Sequence, residues 1–321
     1  MRDSITDPER LLEMLDLPQD LLPGAQRAAV LFGLRVPQGY VARMRRRDAQ
    51  DPLLRQVLPL HAETASHPNF RRDAVGDMAA RREGGILHKY HGRALLITTG
   101  ACAVHCRYCF RRHFPYNEVN AARASWRSAL AQIAADESLE EIILSGGDPL
   151  SLSNTRLQSL IQALDGIPHV QRLRIHTRTA IVLPQRVDTG LLHCLQSSRL
   201  QIVVVVHANH AQELDDNVAE ALGRLRASGA CLLNQSVLLR GVNDDSQVLI
   251  DLSKHLFKLG VLPYYLHLLD KVEGAEHFDV PEQDARILWQ NMAAGLPGYL
   301  VPKLAREQAG GASKILLGHL E

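Results

Sequence analysis

The sequence predicts an α/β chain: an open (β/α)6 barrel, preceded by a helical segment and followed by a short C-terminal stretch. Three observations predict it. From about residue 94, short β-branched or apolar runs alternate with amphipathic stretches of helical period, the signature of βαβ units around a parallel sheet. The strand-then-helix pair recurs six times, which favours a partial barrel over a doubly wound sheet. The residues before that point lack the alternation and read as helix.

In chain order, Asp7-Pro8 followed by Glu9, Leu11, Leu12, Met14 and Leu15 gives a capped first turn and an apolar stripe, so the first helix starts there. A second is predicted over 37–46. Strands are predicted over 94–99, 141–145, 172–177, 201–207, 231–238 and 263–269. Helices are predicted over 121–135, 154–165, 187–197, 211–228, 245–259 and 281–294. Ser153 and Asn154 are good caps for the second of these, and Leu214, Val218, Leu222 and Leu225 recur at helical spacing in the fourth. Three regions result: a helical N-terminal segment 1–93, the barrel 94–295 and a C-terminal segment 296–321. Nothing reads as an internal repeat, a low-complexity tract or a linker.

The 321 residues are 46% hydrophobic and 22% charged, ordinary for a soluble globular protein, with neither a long apolar run nor a leader, so a cytoplasmic protein without membrane contact is expected. Thirty-six Lys and Arg against 35 Asp and Glu give no electrostatic case for nucleic acid. The run Arg45, Arg46, Arg47 reads as a solvated face. Five cysteines, three of them within Cys102–Cys109, argue against a disulfide framework and for metal chemistry in a reducing compartment.

Cys102-Ala-Val-His-Cys106-Arg-Tyr-Cys109 follows the first predicted barrel strand, at the strand end where α/β barrels place their chemistry. Three thiolates can hold three irons of a [4Fe–4S] cube and leave the fourth open. An open iron can chelate S-adenosylmethionine (SAM) and reduce it to a 5′-deoxyadenosyl radical. The CxxxCxxC spacing resembles the radical SAM superfamily motif. A structural zinc on the same triplet plus His105 or His113 is the rival reading; zinc usually takes two separated ligand pairs, so the cluster is favoured. Cys194 and Cys231 read as buried small hydrophobes.

Ser145-Gly146-Gly147-Asp148-Pro149 follows the second strand, and its glycines let backbone approach a ligand closely. Beside the cysteine loop it resembles the superfamily site for the SAM amino group. His176-Thr-Arg178 ends the third strand and His207-Ala-Asn209-His210 the fourth, so polar groups gather at one end of the barrel, with His207 a further candidate for SAM. Lys314 lies in a glycine-rich segment near the C-terminus. A surface lysine is the default, but a loop folding over the barrel mouth could bring its amine to an aldehyde cofactor.

These residues together resemble the lysine 2,3-aminomutase family over roughly residues 88–316. The match rests on Tyr90-His-Gly-Arg93, on the cysteine triplet followed by Arg111, on Ser145-Gly-Gly-Asp-Pro149, on the run from Asn234 to Asp244, on Pro263-Tyr-Tyr, on Asp270 and on Gly274-Ala-Glu-His-Phe278. The resemblance implies a radical SAM barrel and an isomerase that uses a [4Fe–4S] cluster, SAM and pyridoxal phosphate (PLP) to move the amino group of lysine between neighbouring carbons. It implies Lys314 as the PLP lysine, with Tyr90, Arg93 and Gln235 holding that cofactor. It implies Arg111 as the clamp on the substrate carboxylate, which a guanidinium fork suits, and Asp270 as one of two acids for the ε-ammonium. The second acid is an Asp in the family, and Glu307 stands there in this chain.

The chain stops seven residues after Lys314, so it looks like the short branch that makes (R)-β-lysine for elongation factor P, and no structural zinc is expected. An electron donor such as flavodoxin or ferredoxin, a functional link to elongation factor P and its lysyl ligase, and homo-oligomers are the partners this implies. Two other readings remain at the level of sequence: a radical SAM enzyme with a different substrate and no PLP, and a zinc-stabilised interaction protein.

Overall fold

The computed structural model describes residues 3–116 and 126–318. The N-terminal part begins with helix α1 (Pro8–Leu15), whose first turn is capped by the Asp7 carboxylate accepting from the Glu9 amide at 3.0 Å. Helix α2 (Leu22–Leu31) follows. The helix predicted over 37–46 is a single turn, Gln38–Val41. Two-residue strands Ser4–Ile5 and Val36–Pro37 pair antiparallel and close this part on itself. Its apolar side, with Leu11, Leu12, Leu53, Leu54 and Tyr40, shares one buried cluster with Ala103 and Val104 of the cysteine loop. The N-terminal segment is thus the floor under that loop.

The main sheet carries nine strands among the described residues, in strict chain order. They are β1 (Ile86–Tyr90), β2 (Arg93–Thr99), β3 (Glu141–Gly146), β4 (Arg172–Thr177), β5 (Gln201–Val206), β6 (Cys231–Val237), β7 (Leu262–His267), β8 (Lys303–Arg306) and β9 (Ile315–Leu316). Neighbours from β2 to β8 run parallel, and β1 and β9 pair antiparallel at the two edges. The crossovers carry α3 (Arg127–Ala135), α4 (Asn154–Asp165), α5 (Thr189–Gln196), α6 (Asp216–Ala227), α7 (Ser246–Lys258) and α8 (Glu282–Ala294). Each of the six expected strands is present. The helix predicted over 121–135 lies partly outside the described residues, and α3 is its described part.

Two segments that sequence left outside the barrel join the sheet. β1 folds back on β2 through His91-Gly92, where Gly92 has φ 74°, a value that favours glycine. β8 extends the parallel array beyond β7. Leu157, Leu160, Ile161, Val218, Leu222 and Leu256 of the crossover helices pack on Leu144, Ile175 and Val204 of the sheet in one continuous core. Cys194 is buried there. Cys231 is not: it opens β6 at the solvent end of the strand and is exposed, against expectation.

The sheet curves into a barrel. Strands lie about 4.8 Å apart, so a flat sheet would hold β1 and β8 roughly 33 Å from one another. Yet the Tyr90 hydroxyl on β1 donates to Glu307, immediately after β8, at 2.6 Å. The barrel is closed by side chains, its edge strands never pairing. None of the helices among the described residues is long and apolar enough to cross a membrane.

Candidate active site

One large cavity of about 400 Å³ occupies the barrel, within the range of ligand sites. Cys102, Cys106 and Cys109 line it just beyond the C-terminal end of β2, and Arg93 lines it at the N-terminal end of the same strand. The cavity therefore runs along a seven-residue strand, roughly 20 Å. Asp270, Glu307 and Lys314 reach it from the far edge of the sheet, and Tyr90, Arg111, Ser145, Gly146, Gly147, Asp148, His207 and Gln235 complete the predicted set.

The cysteine loop is held from below. The backbone amide of His105 donates to the Arg35 carbonyl, and that of Arg107 to the Gln56 carbonyl, each at 2.9 Å. The Arg107 side chain runs the other way into the protein. Its Nε donates to Glu63 at 2.8 Å and its Nη1 to the Phe32 carbonyl at 2.7 Å. Arg112 donates to the same Glu63 carboxylate at 2.7 Å and to the Gly274 carbonyl at 2.8 Å. The side chains of all three are essentially without solvent exposure. Among the described residues no three Cys, His, Asp or Glu converge as ligands of a single ion would. Three thiolates that each hold a different iron of a cube need not converge in that way. Both histidines of the zinc alternative are tied to carbonyls, His105 Nδ1 to Gly33 at 2.7 Å and His113 Nε2 to Glu273 at 3.0 Å.

The glycines after β3 are needed for a reason sequence did not supply. A Cβ on Gly147 would sit 2.3 Å from the Ala101 carbonyl oxygen, and one on Gly146, at φ 121°, would sit 2.6 Å from the Thr99 carbonyl oxygen. The close approach is to the chain's own backbone, locking β3 against the start of the cysteine loop, with Asp148 N–H donating to the Ala101 carbonyl at 2.8 Å. The Asp148 carboxylate turns away to the end of β4. It accepts from the Thr177 hydroxyl at 2.8 Å and from the Arg178 and Thr179 amides at 2.7 and 2.9 Å.

The polar wall carries two residues absent from the sequence prediction. Asp77 accepts from Arg111 Nε at 2.6 Å and forms an ion pair with Lys89 Nζ at 2.7 Å; Arg111 Nη1 also donates to the Ser145 hydroxyl at 2.9 Å. Burial disfavours the Asp77 carboxylate, but Arg111 and Lys89 outweigh it and hold its pKa below the ordinary value. Lys89 lies 3.7 Å from Glu307, which also takes the Tyr90 hydroxyl and pairs with Lys314. Glu307 likewise stays below the ordinary carboxylate range: burial opposes its charge, and Lys314 with its neighbours prevails. Among the described residues Asp270 has no such side-chain hydrogen bond or ion pair. Burial pushes its pKa up to about 7, Lys314 opposes the rise and Glu307 adds to it.

The interior histidines are kept neutral. Burial beside Arg178 takes His207 down to about 3, and burial lowers His176 and His267 well below the usual imidazole value. Gln235 Nε2 meets His207 Nε2 at 2.7 Å, joining the expected SAM and PLP sides of the cavity through one contact. Arg93 stacks 4.9 Å from the Tyr90 ring centre, fixed by the hairpin that pairs the two residues.

An α/β barrel whose cavity combines three loop cysteines, a buried guanidinium and a lysine between two acids defines an iron–sulfur enzyme acting on a small charged molecule. Residues 91–217 match the family model described as a 4Fe-4S single cluster domain. The chain is 49% identical over 98% of its length to the L-lysine 2,3-aminomutase of Escherichia coli, covering 92% of that protein. It is 48% identical to the Haemophilus influenzae enzyme of the same name, again over 98% of this chain and 94% of that one. With the Clostridium subterminale L-lysine 2,3-aminomutase it shares 30% identity, over 98% of this chain and 76% of that protein. The chain belongs to the L-lysine 2,3-aminomutase family, isomerases that shift an amino group with a [4Fe–4S] cluster, SAM and PLP. Family membership decides against the zinc-stabilised interaction protein.

Proposed function

We propose that the chain converts L-α-lysine to (R)-β-lysine for elongation factor P modification, with PLP on Lys314 and SAM on a cluster held by Cys102, Cys106 and Cys109. One observation carries the reading: the Lys314 amine, the three cysteines, Arg111 and both acids line a single cavity. The residues suit the groups they would hold. Lys314 offers an amine over the Tyr265 ring, 5.8 Å from its centre, and Arg93 and Gln235 offer donors for a phosphate. Ser145 and His207 lie on the cavity wall for SAM, while Gly146, Gly147 and Asp148 shape the turn beside it.

When bound, SAM at the cluster supplies the radical and PLP the conjugated ring that spreads an unpaired electron. The chain's own groups do the positioning. Arg111 is presented to the substrate carboxylate by Asp77 and Ser145, which fix two of its donors and leave the rest of the fork for the ligand. Asp270 and Glu307 supply negative charge for the ε-ammonium at the other end. A substrate clamped at both ends presents one carbon to the radical. Glu307 meanwhile compensates the Lys314 charge, so the arriving ammonium replaces one cation with another.

The short-branch product follows from the family resemblance. An electron donor such as flavodoxin or ferredoxin would feed the cluster. The test is to incubate anaerobically reconstituted protein with dithionite, SAM, PLP and L-lysine and to resolve the product by chiral chromatography and mass spectrometry. (R)-β-lysine that requires iron, SAM and PLP is expected. Product formed without iron or SAM refutes the scheme, and the (S) isomer refutes the branch.

A further inference from the structure

Glu307 and Lys314 sit at the two ends of one turn, which is closed by the pairing of Arg306 on β8 with Ile315 on β9. Side chains alternate along a strand. Glu307 and Lys314 line the cavity, and their neighbours turn outward: Ile315 packs on the apolar cluster that holds Ala285, Met292 and Leu317, and Arg306 reaches α8. β9 is only two residues long and the turn contains Gly310, at φ 73°, followed by Gly311, so the hairpin has little ladder of its own to hold it shut.

The outer hold converges on one carboxylate. Arg306 Nη1 donates to Glu282 Oε2 at 2.6 Å. Arg286, one turn further along α8, donates to Glu282 Oε1 through Nε at 3.1 Å and Nη2 at 2.8 Å, and its Nη1 donates to the Leu317 carbonyl at 2.7 Å. Glu282 thus ties β8 one residue before Glu307, and through Arg286 it ties the chain three residues after Lys314. Glu282, Arg286 and Arg306 lie outside the cavity lining, so none of them meets a ligand there. Single ion pairs on a half-exposed surface are weak, but here one acid bridges both strands of the hairpin to the same helix.

We infer that Glu282, braced by Arg286, is a positioning residue for the reaction: taking Lys314 as the PLP lysine proposed above, it clamps the turn from outside the barrel and keeps the Lys314 amine and the Glu307 carboxylate in the cavity together. Opening of the hairpin withdraws both at once.

The test compares wild type, Glu282→Gln, Arg306→Gln, the double variant and Glu220→Gln, which removes an i,i+4 pair with Arg224 elsewhere, on α6. Hydrogen–deuterium exchange of the Leu317 amide, which donates to the Leu304 carbonyl at 2.9 Å, reads how often the hairpin opens. Release of PLP from the reconstituted protein to a phosphatase trap reads whether Lys314 leaves with it. Glu282→Gln and Arg306→Gln should speed both by roughly three- to tenfold, at unchanged iron content. The double variant should be no faster than Glu282→Gln alone, because one carboxylate carries both links. Glu220→Gln should change neither. Exchange at the wild-type rate overturns the clamp, and faster exchange with unaltered PLP release overturns its hold on Lys314. An equal effect of Glu220→Gln marks a general loss of stability and overturns it too. A wild-type chain with no borohydride-fixed adduct on Lys314 sinks the PLP assignment instead, and the exchange rates then decide the clamp by themselves.

Discussion

Replacing Glu63 by Gln tests whether the charge trio under the cysteine loop holds the fold together. The carboxylate takes Arg107 and Arg112, and its Oε1 also accepts the Leu60 amide at 2.9 Å. Both guanidiniums stack on Phe32, with ring distances of 4.9 and 4.8 Å. The wild-type trio already holds two cations against one anion in the interior. Removing that anion leaves two uncompensated buried charges, a loss of about 3–5 kcal/mol for breaking such a group. At about 2.1 cal/mol/K per residue the unfolding entropy of a chain this long makes that a fall in Tm of roughly 4–7 °C. Far-UV circular dichroism melts of the metal-free protein measure it. Iron bound per chain after reconstitution supplies the second readout, because Arg107 lies next to Cys106 in the loop. A Glu63→Gln protein that melts within a degree of wild type and binds iron normally would show that the trio is neutral scaffolding.

The other predictions concern the cavity. Arg111→Lys keeps the charge but loses the fork; with a charged hydrogen bond worth about 1.5–3 kcal/mol, KM for lysine should rise roughly tenfold to a hundredfold with a smaller change in kcat, and an unchanged KM would remove Arg111 from the substrate site. Lys314→Ala should abolish both turnover and the PLP adduct that borohydride fixes in the wild type; mass spectrometry finding the adduct on another lysine would contradict the assignment. Asp270 gives a pH signature. Its folded pKa is raised from 3.8 to about 7, so ionising it costs the folded state: the ligand-free protein loses stability as pH climbs from about 4 to 7. Asp270→Asn removes that loss, and chemical denaturation of both proteins at several pH values reads it. Substrate binding runs the other way, because only the carboxylate pairs with an ammonium: KM for lysine should fall as pH rises through about 7, and a flat KM across that range would exclude Asp270 as its partner.

What sequence could reveal was whatever is written locally. The strands of the barrel are apolar runs of the right length, and the cysteine spacing is a pattern within eight residues, so both were legible. β1 was not, because Ile86-Leu-His-Lys-Tyr90 mixes polar and apolar side chains and joins only an edge of the sheet. β8, with the residues Lys-Leu-Ala-Arg, is too short to stand out. Asp77 and Glu63 were missed for a different reason. Each is an unremarkable acid in its own neighbourhood, and its meaning comes from an arginine 34 or 44 residues further on.

Those same long-range pairs explain why the chain needs its N-terminal segment. An iron cube held by three residues of one loop is only as fixed as the loop itself, and this loop has no regular secondary structure. Its rigidity is borrowed: Ala103 and Val104 are set in the N-terminal core, Arg107 is sunk into Glu63, and Gly147 is pressed against Ala101. Arg111 lies five residues after Cys106, so under the proposed assignment whatever holds the loop also sets where the substrate carboxylate would be met. On this view the position of the radical source and that of the substrate clamp are one structural variable. A change in the N-terminal floor should therefore disturb iron binding and KM for lysine together, although no residue of that floor before Asp77 lines the cavity except Phe32 and Val75.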